Sequence, residues 1–255
     1  MVVGPSVPLE LLILKNGLIV EGVSGIGKSV LLERLQTELV NSYPAGSKML
    51  LSEHLTERVF ENARASGHFE LTDALGHCAR IADLVEALVA LRTSSKFGQS
   101  VGNGSFPILV ERWVGSHVAH AATPDARVSC SSLNPESSTL AAAASLVRRM
   151  IDHGFEILVL SARAEDIERS LSDTLRRRSP HWVEFVDSMG GERKYAAHLW
   201  RWQQSLTTFY DSCGIKPVQS GILVPSAAEA LGAGLAKRLV AHTDDQPLAA
   251  QMATA

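Results

Sequence analysis

The sequence predicts an open, doubly wound α/β fold: a five-stranded parallel sheet flanked by helices. Three observations carry that reading. Short, almost wholly apolar runs alternate with longer amphipathic stretches. The runs lack the apolar-polar alternation of half-exposed strands, so they suit strands buried on both faces. A glycine-rich octet separates the first run from the first amphipathic stretch.

In chain order, strands are expected at 18–21, 49–52, 108–111, 157–161 and 221–225. Helices are expected at 28–40, 57–65, 71–91, 138–153 and 164–175, with a long or broken one at 182–212 and a last one at 227–240. The Ser/Gly-rich segment 93–105 and the Ser-rich segment 129–138 read as loops, and 241–255 as a mobile tail. Asn16-Gly17 between two apolar runs also has the composition of a hairpin turn. A central strand at 18–21 with parallel neighbours on both sides would leave that hairpin no free edge, and residues 7–14 then form an entry segment.

At 255 residues the chain is long enough for one large domain with its own core, taken here as 1–240. Twenty-four Lys and Arg against 27 Asp and Glu give no global attraction to a nucleic acid polymer or an anionic membrane. Cys78, Cys130 and Cys213 have neither CxxC spacing nor even pairing, which fits a reducing cytoplasm better than a disulfide framework or a cysteine zinc site. Glu10, Lys15 and Asn16 interrupt the apolar start, so no membrane span is expected, and no signal peptide either.

Gly22-Val23-Ser24-Gly25-Ile26-Gly27-Lys28-Ser29 meets G-x-x-x-x-G-K-[ST] at every fixed position. A chance match in a chain this long has odds of about one in a hundred. The context the motif requires is also present: an apolar strand before it, and after it a helix with Val30, Leu31, Leu32, Leu35 and Leu39 as its apolar face. Glycines let backbone N–H groups converge on phosphate oxygens, and the helix N-terminus adds partial positive charge. Lys28 would reach the β- and γ-phosphates of ATP, and the Ser29 hydroxyl would coordinate Mg²⁺. The octet indicates a nucleoside triphosphate but not what receives the phosphate.

Three further segments bear on the acceptor. Ser52-Glu53-His54 ends the second strand, where a carboxylate would face the phosphate loop. Glu111-Arg112-Trp113-Val114-Gly115-Ser116-His117-Val118-Ala119-His120 follows the third, and Asp73 to Ile81 lies in the helix between. The decapeptide resembles the thymidylate kinase pattern [DE]-R-[YFW]-x-x-S-x-x-A-Y, with His120 where Tyr is usual, and its start equally resembles the Glu-Arg of deoxynucleoside kinases. The resemblance to this superfamily of P-loop kinases runs from about Leu18 to Pro225.

The resemblance implies an acceptor-contacting Arg80 and a base-reading polar residue at Asp73, where deoxynucleoside kinases usually carry Gln. It puts Glu53 in the place of the deoxynucleoside kinases' catalytic glutamate; the Pro-Gly-Gly-type segment of thymidylate kinases is absent there. It also implies a lid at about 175–192 whose Arg176, Arg177 and Arg178 close over the phosphates, and a homodimer through the helices at 71–91 and 138–153.

On that basis Glu53 is either the general base for an acceptor hydroxyl or an exposed helix cap. Glu111 either holds the Mg²⁺ hydration shell or forms a structural ion pair with Arg112, which otherwise clamps acceptor or phosphate. Ser116 would contact the acceptor. The three lid arginines cannot all face one site, and a solvated basic helix end is the competing reading. His117 and His120 lack a third ligand and read as pocket or surface polarity rather than a metal site. The aromatic residues Trp182, Phe185, Trp200, Trp202, Phe209 and Tyr210 read as helix packing, with Trp113 and Phe60 as better neighbours for a base. The expected activity is transfer of the ATP γ-phosphate to a nucleoside or nucleoside monophosphate. Two alternatives stay open: a kinase of a non-nucleotide hydroxyl, such as an antibiotic or other metabolite, and a regulatory ATPase switch. A guanine-reading N-K-x-D motif is absent.

Overall fold

The computed structural model describes residues 16–42, 49–51, 59, 62, 65–93, 108–123, 129–130, 135–176, 179–219 and 235. The parallel sheet is built on β1 (Gly17–Glu21), β4 (Ile108–Glu111) and β6 (Phe155–Ser161). β1 lies between the other two, with Leu18 opposite Leu109 on one side and Glu156 on the other. All residues of β1 and β4 are buried, as their apolar composition requires of strands covered on both faces. Both edges of β1 are occupied, so the alternative hairpin at Asn16-Gly17 has nowhere to pair.

Two much shorter strands extend this body. β2 (Met49–Leu51) runs beside β4, and β7 (Val218–Gln219) beside the end of β6, giving the order β2-β4-β1-β6-β7. The expectation of a five-stranded parallel sheet is therefore met in part: three strands form the body and the flanking two have three and two residues. The strand expected at 221–225 lies outside the described residues. β6 begins two residues before its expected start, because Phe155 and Glu156 pair with Gly17 and Leu18.

The helices flank this sheet. α1 (Lys28–Ser42) packs on β4, burying Leu31, Leu32 and Leu35 while leaving Val30 exposed. After β3 (His68–Phe69) comes α2 (Leu71–Thr93). α3 (Val114–Ala122) follows β4, then β5 (Ser129–Cys130), and α4 (Ser137–Asp152) packs on both α2 and β6. α5 (Ala164–Leu175) begins where it is expected. The stretch read as long or broken is broken: Pro180 starts α6 (Pro180–Ser188), Gly190-Gly191 ends it, and α7 (Glu192–Ser212) follows.

Several elements differ from the sequence reading. α3 was not expected as a helix; it has almost no polar face and is buried nearly all round, so no amphipathic period marks it. Ser129–Cys130, within a segment read as a loop, pairs in parallel with His68–Phe69, and strands of two residues are too short for any periodic signal. Most of the helix expected at 57–65, that at 227–240 except Leu235, and the tail at 241–255 lie outside the described residues. Among the described residues no helix is long and apolar enough to cross a membrane.

Candidate functional site

The carboxyl ends of β1, β4 and β6 converge on the glycine-rich octet, the position where open parallel sheets hold ligands. Gly22, Gly25 and Gly27 have φ of 151°, 80° and 98°, a path that side chains with a Cβ follow only under strain. At Gly22 a Cβ would also stand 3.1 Å from the Leu160 carbonyl oxygen. The loop is thus fixed to the end of β6 by close approach as well as by conformation.

Lys28 is the first residue of α1 and is buried, its ammonium donating to the Val23 carbonyl at 3.0 Å across the mouth of the loop. Its Nζ lies 3.9 Å from Glu111 Oε1. The Ser29 hydroxyl donates to the same oxygen at 3.2 Å. Lys28, Ser29 and Glu111, predicted separately from two motifs 82 residues apart, therefore meet as one cluster. A carboxylate beside a hydroxyl at the loop is an all-oxygen donor set of the kind Mg²⁺ takes, and the lysine is the cation that an incoming anion would meet.

Arg112 is the only non-glycine among the described residues with positive φ, 58°. Such a backbone costs about 1–3 kcal/mol and persists only where its surroundings over-determine it. The Arg112 N–H donates to the Val20 carbonyl at 3.0 Å, and the next N–H, that of Trp113, donates to Glu21 Oε1 at 3.0 Å. The guanidinium then donates to Ser24 Oγ in the loop at 2.7 Å, with its carbon 5.9 Å over the Trp202 ring. On the other side of the loop, Ser170 Oγ of α5 donates to the Gly25 carbonyl at 2.7 Å.

Glu21 closes the first strand, and no motif in the sequence assigns it a role. Its carboxylate has no exposure and accepts four hydrogen bonds: from the N–H groups of Trp113 and Ser116, from Ser116 Oγ at 2.5 Å, and from Tyr210 OH at 2.8 Å. The available signal was a single carboxylate closing an otherwise apolar strand. Trp113 provides no side-chain cap for α3, so a carboxylate from β1 satisfies two of the helix's orphan N–H groups and meets the positive end of its dipole. Burial, and then the nearby Glu21 carboxylate, raise the Tyr210 phenol and the Cys78 thiol well above their usual values, so both stay protonated.

α7 was expected to contribute packing, and it also joins the site. Trp202 reaches Arg112 at the end of β4, and Tyr210 reaches Glu21 at the end of β1. The buried Gln203 amide both accepts from Ala162 N–H (2.9 Å) and donates to Ala162 C=O (2.7 Å) just beyond β6. Positions 202, 203 and 210 share one helical face, so a single helix ties three strand ends together. Trp182, Phe185 and Tyr195 pack edge to face at 5.5 to 5.8 Å and join α6 to α7.

The remaining expected residues are placed as follows. Asp73 and Arg80 lie two turns apart on the exposed side of α2 and do not enter the Lys28-Ser29-Glu111 cluster. Ser116 is fully buried, with its hydroxyl on Glu21. Arg176 caps α5 and is exposed. Glu53, Phe60, Arg177 and Arg178 lie outside the described residues. Trp113 is buried, and its indole N–H has no hydrogen-bond partner among the described residues. His117 is fully buried beside Phe69; burial first, then His120, His77 and Arg112, lower its pKa to about 3. Among the described residues no three His, Cys, Asp or Glu side chains come together as metal ligands.

Compared with models of known protein families and with curated proteins, the sequence matches none.

Proposed function

We propose that this chain is a P-loop kinase that binds ATP with Mg²⁺ and transfers the γ-phosphate to a nucleoside or nucleoside monophosphate. The observation that carries the reading is the meeting of Lys28 and Ser29 with Glu111 at the mouth of the glycine loop. Phosphoryl transfer asks little covalent work of a protein; it asks for aligned reactants and for positive groups near the developing charge. Residues 22–27 would cradle the phosphates, and the Lys28 ammonium would exchange the Val23 carbonyl for a phosphate oxygen. Ser29, with Glu111 partly through water, would hold Mg²⁺, which when bound neutralises phosphate charge. Arg112 is fixed beside the loop and supplies a further cation.

Glu53 as base for an acceptor hydroxyl, and Arg176 and Arg178 as lid cations, belong to the same proposal. So does a pair of chains joined through α2 and α4, where Leu84, Leu91 and Ile151 are exposed. One observation favours a second reading of the acceptor. Asp73 and Arg80 stand apart from the cluster and Ser116 is bonded to Glu21, which favours a non-nucleotide small molecule bearing a hydroxyl.

The test is ATP consumption by the purified protein with Mg²⁺ across nucleosides, nucleoside monophosphates and non-nucleotide alcohols, with mass spectrometry of the products. The expected result is acceptor-dependent ADP and a phosphorylated product, lost in Lys28→Ala. ADP formed only with a non-nucleotide alcohol supports the second reading. Acceptor-independent hydrolysis points to an ATPase switch, and unchanged turnover in Lys28→Ala overturns the assignment of the loop.

A further inference from the structure

The buried carboxylate of Glu21 is absent from the chemistry above, yet it stands at the junction of three elements. Its four donors come from the start of α3 and from α7. Arg112 lies between two backbone N–H groups anchored on β1, its own on Val20 and that of Trp113 on Glu21. Between those two anchors the chain passes through the left-handed conformation at Arg112, and the guanidinium lies on Ser24 of the loop and over Trp202. Without the carboxylate, the start of α3 loses its cap and Arg112 loses the reason to hold a strained backbone.

We propose that Glu21 is the positioning residue of this site: through Trp113 and Ser116, and braced by Tyr210, it fixes the Arg112 guanidinium against the phosphate loop. The kinetic consequence rests on the kinase reading; the structural one does not. Buried, fully hydrogen-bonded polar groups of this kind rigidify and specify a unique local arrangement. A bland alternative is that Glu21 merely helps the chain fold, and it makes a different prediction. A group acting through Arg112 loses its effect when Arg112 is absent, whereas a group acting on overall stability does not.

The variants are Glu21→Gln, Arg112→Ala, the double variant, and Tyr210→Phe, which leaves three of the four donors. The first measurement is amide hydrogen exchange without ligand. Glu21→Gln is expected to speed exchange at Trp113, Ser116 and residues 22–27 while leaving α4 unchanged. The second is kcat and KM with ATP and the acceptor that the product assay identifies. Misplacing a catalytic cation by about 1 Å costs on the order of 10²-fold, so Glu21→Gln is expected to lower kcat by about that factor with KM for ATP little changed. In the Arg112→Ala background the same change is expected to alter kcat by less than about twofold.

Equal losses in both backgrounds overturn the proposal, as does unaltered exchange over residues 22–27. If the protein turns over no ATP, the exchange result still decides: faster exchange confined to α3 and the loop sustains the positioning role and puts the failure on the kinase reading. If Glu21→Gln does not fold, Tyr210→Phe carries both measurements with the same pattern at about a tenfold loss in kcat, and its absence there overturns the proposal.

Discussion

Two helical glycines should respond to alanine with opposite signs. Replacing glycine by alanine within a helix gains about 0.5–1 kcal/mol from backbone entropy alone. At Gly76 in α2 an added Cβ meets no atom of the described residues within 4 Å, so Gly76→Ala should gain about that amount. At Gly115 in α3 the same Cβ would overlap Tyr210 Cε2 and stand 2.8 Å from Leu206 Cδ1 and Tyr210 Cζ. Both neighbours have no exposure, and the Tyr210 ring cannot retreat without breaking its bond to Glu21. Overpacking costs about 1–3 kcal/mol and a hydrogen bond to a charged group about 1.5–3. After the propensity gain, Gly115→Ala should lose about 2–5 kcal/mol, a fall in Tm on the order of 10 °C for a chain this size. Urea unfolding followed by far-ultraviolet circular dichroism measures both variants against the parent. If Gly115→Ala is as stable as the parent to within about 0.5 kcal/mol, α3 does not pack on α7 as described and the bracing of Glu21 by Tyr210 falls with it.

Two further outcomes follow from the same geometry. The folded pKa of His117, about 3, lies below its ordinary 6.5, so between those values the unfolded chain holds more protons. The stability due to neutral burial is therefore complete above about pH 6.5 and is lost as pH falls toward 3, by up to about 1.4 kcal/mol per pH unit. His120, His77 and Arg112 face the same ring, and His117→Gln should flatten this slope in urea midpoints taken from pH 7.5 to 4.5; a variant with the parent's slope would refute the assignment. Gln203→Leu would leave the buried Ala162 N–H and C=O without partners and should cost about 2–5 kcal/mol in the same unfolding assay. A loss below about 0.5 kcal/mol would mean that α7 does not hold the end of β6.

Patterns local in the chain were legible without the structure. β1, α1, β4 and α5 stand where periodicity put them, because an apolar run, a glycine turn and an amphipathic stretch each carry their own signal over a few residues. The loop that joins β1 to α1 was legible for the same reason, since its glycines are demanded by conformation at the site itself. α3 escaped because a helix buried nearly all round has no polar stripe to mark its period. The β3–β5 pair escaped because two-residue strands are specified only by their partner.

The site divides along the same line. The sequence singled out Lys28, Ser29, Glu111 and Arg112 as the candidates, since the motifs name them by type and spacing. Only the tertiary structure decided that Ser29 and Lys28 share one Glu111 oxygen, that Arg112 is bent onto Ser24, and that Asp73 and Arg80 stand outside the cluster. It alone gave Glu21 its part, because the groups that satisfy the carboxylate lie 92 to 189 residues away in α3 and α7. A buried carboxylate is defined by its donors, and donors supplied by distant segments leave no mark in the residues around it.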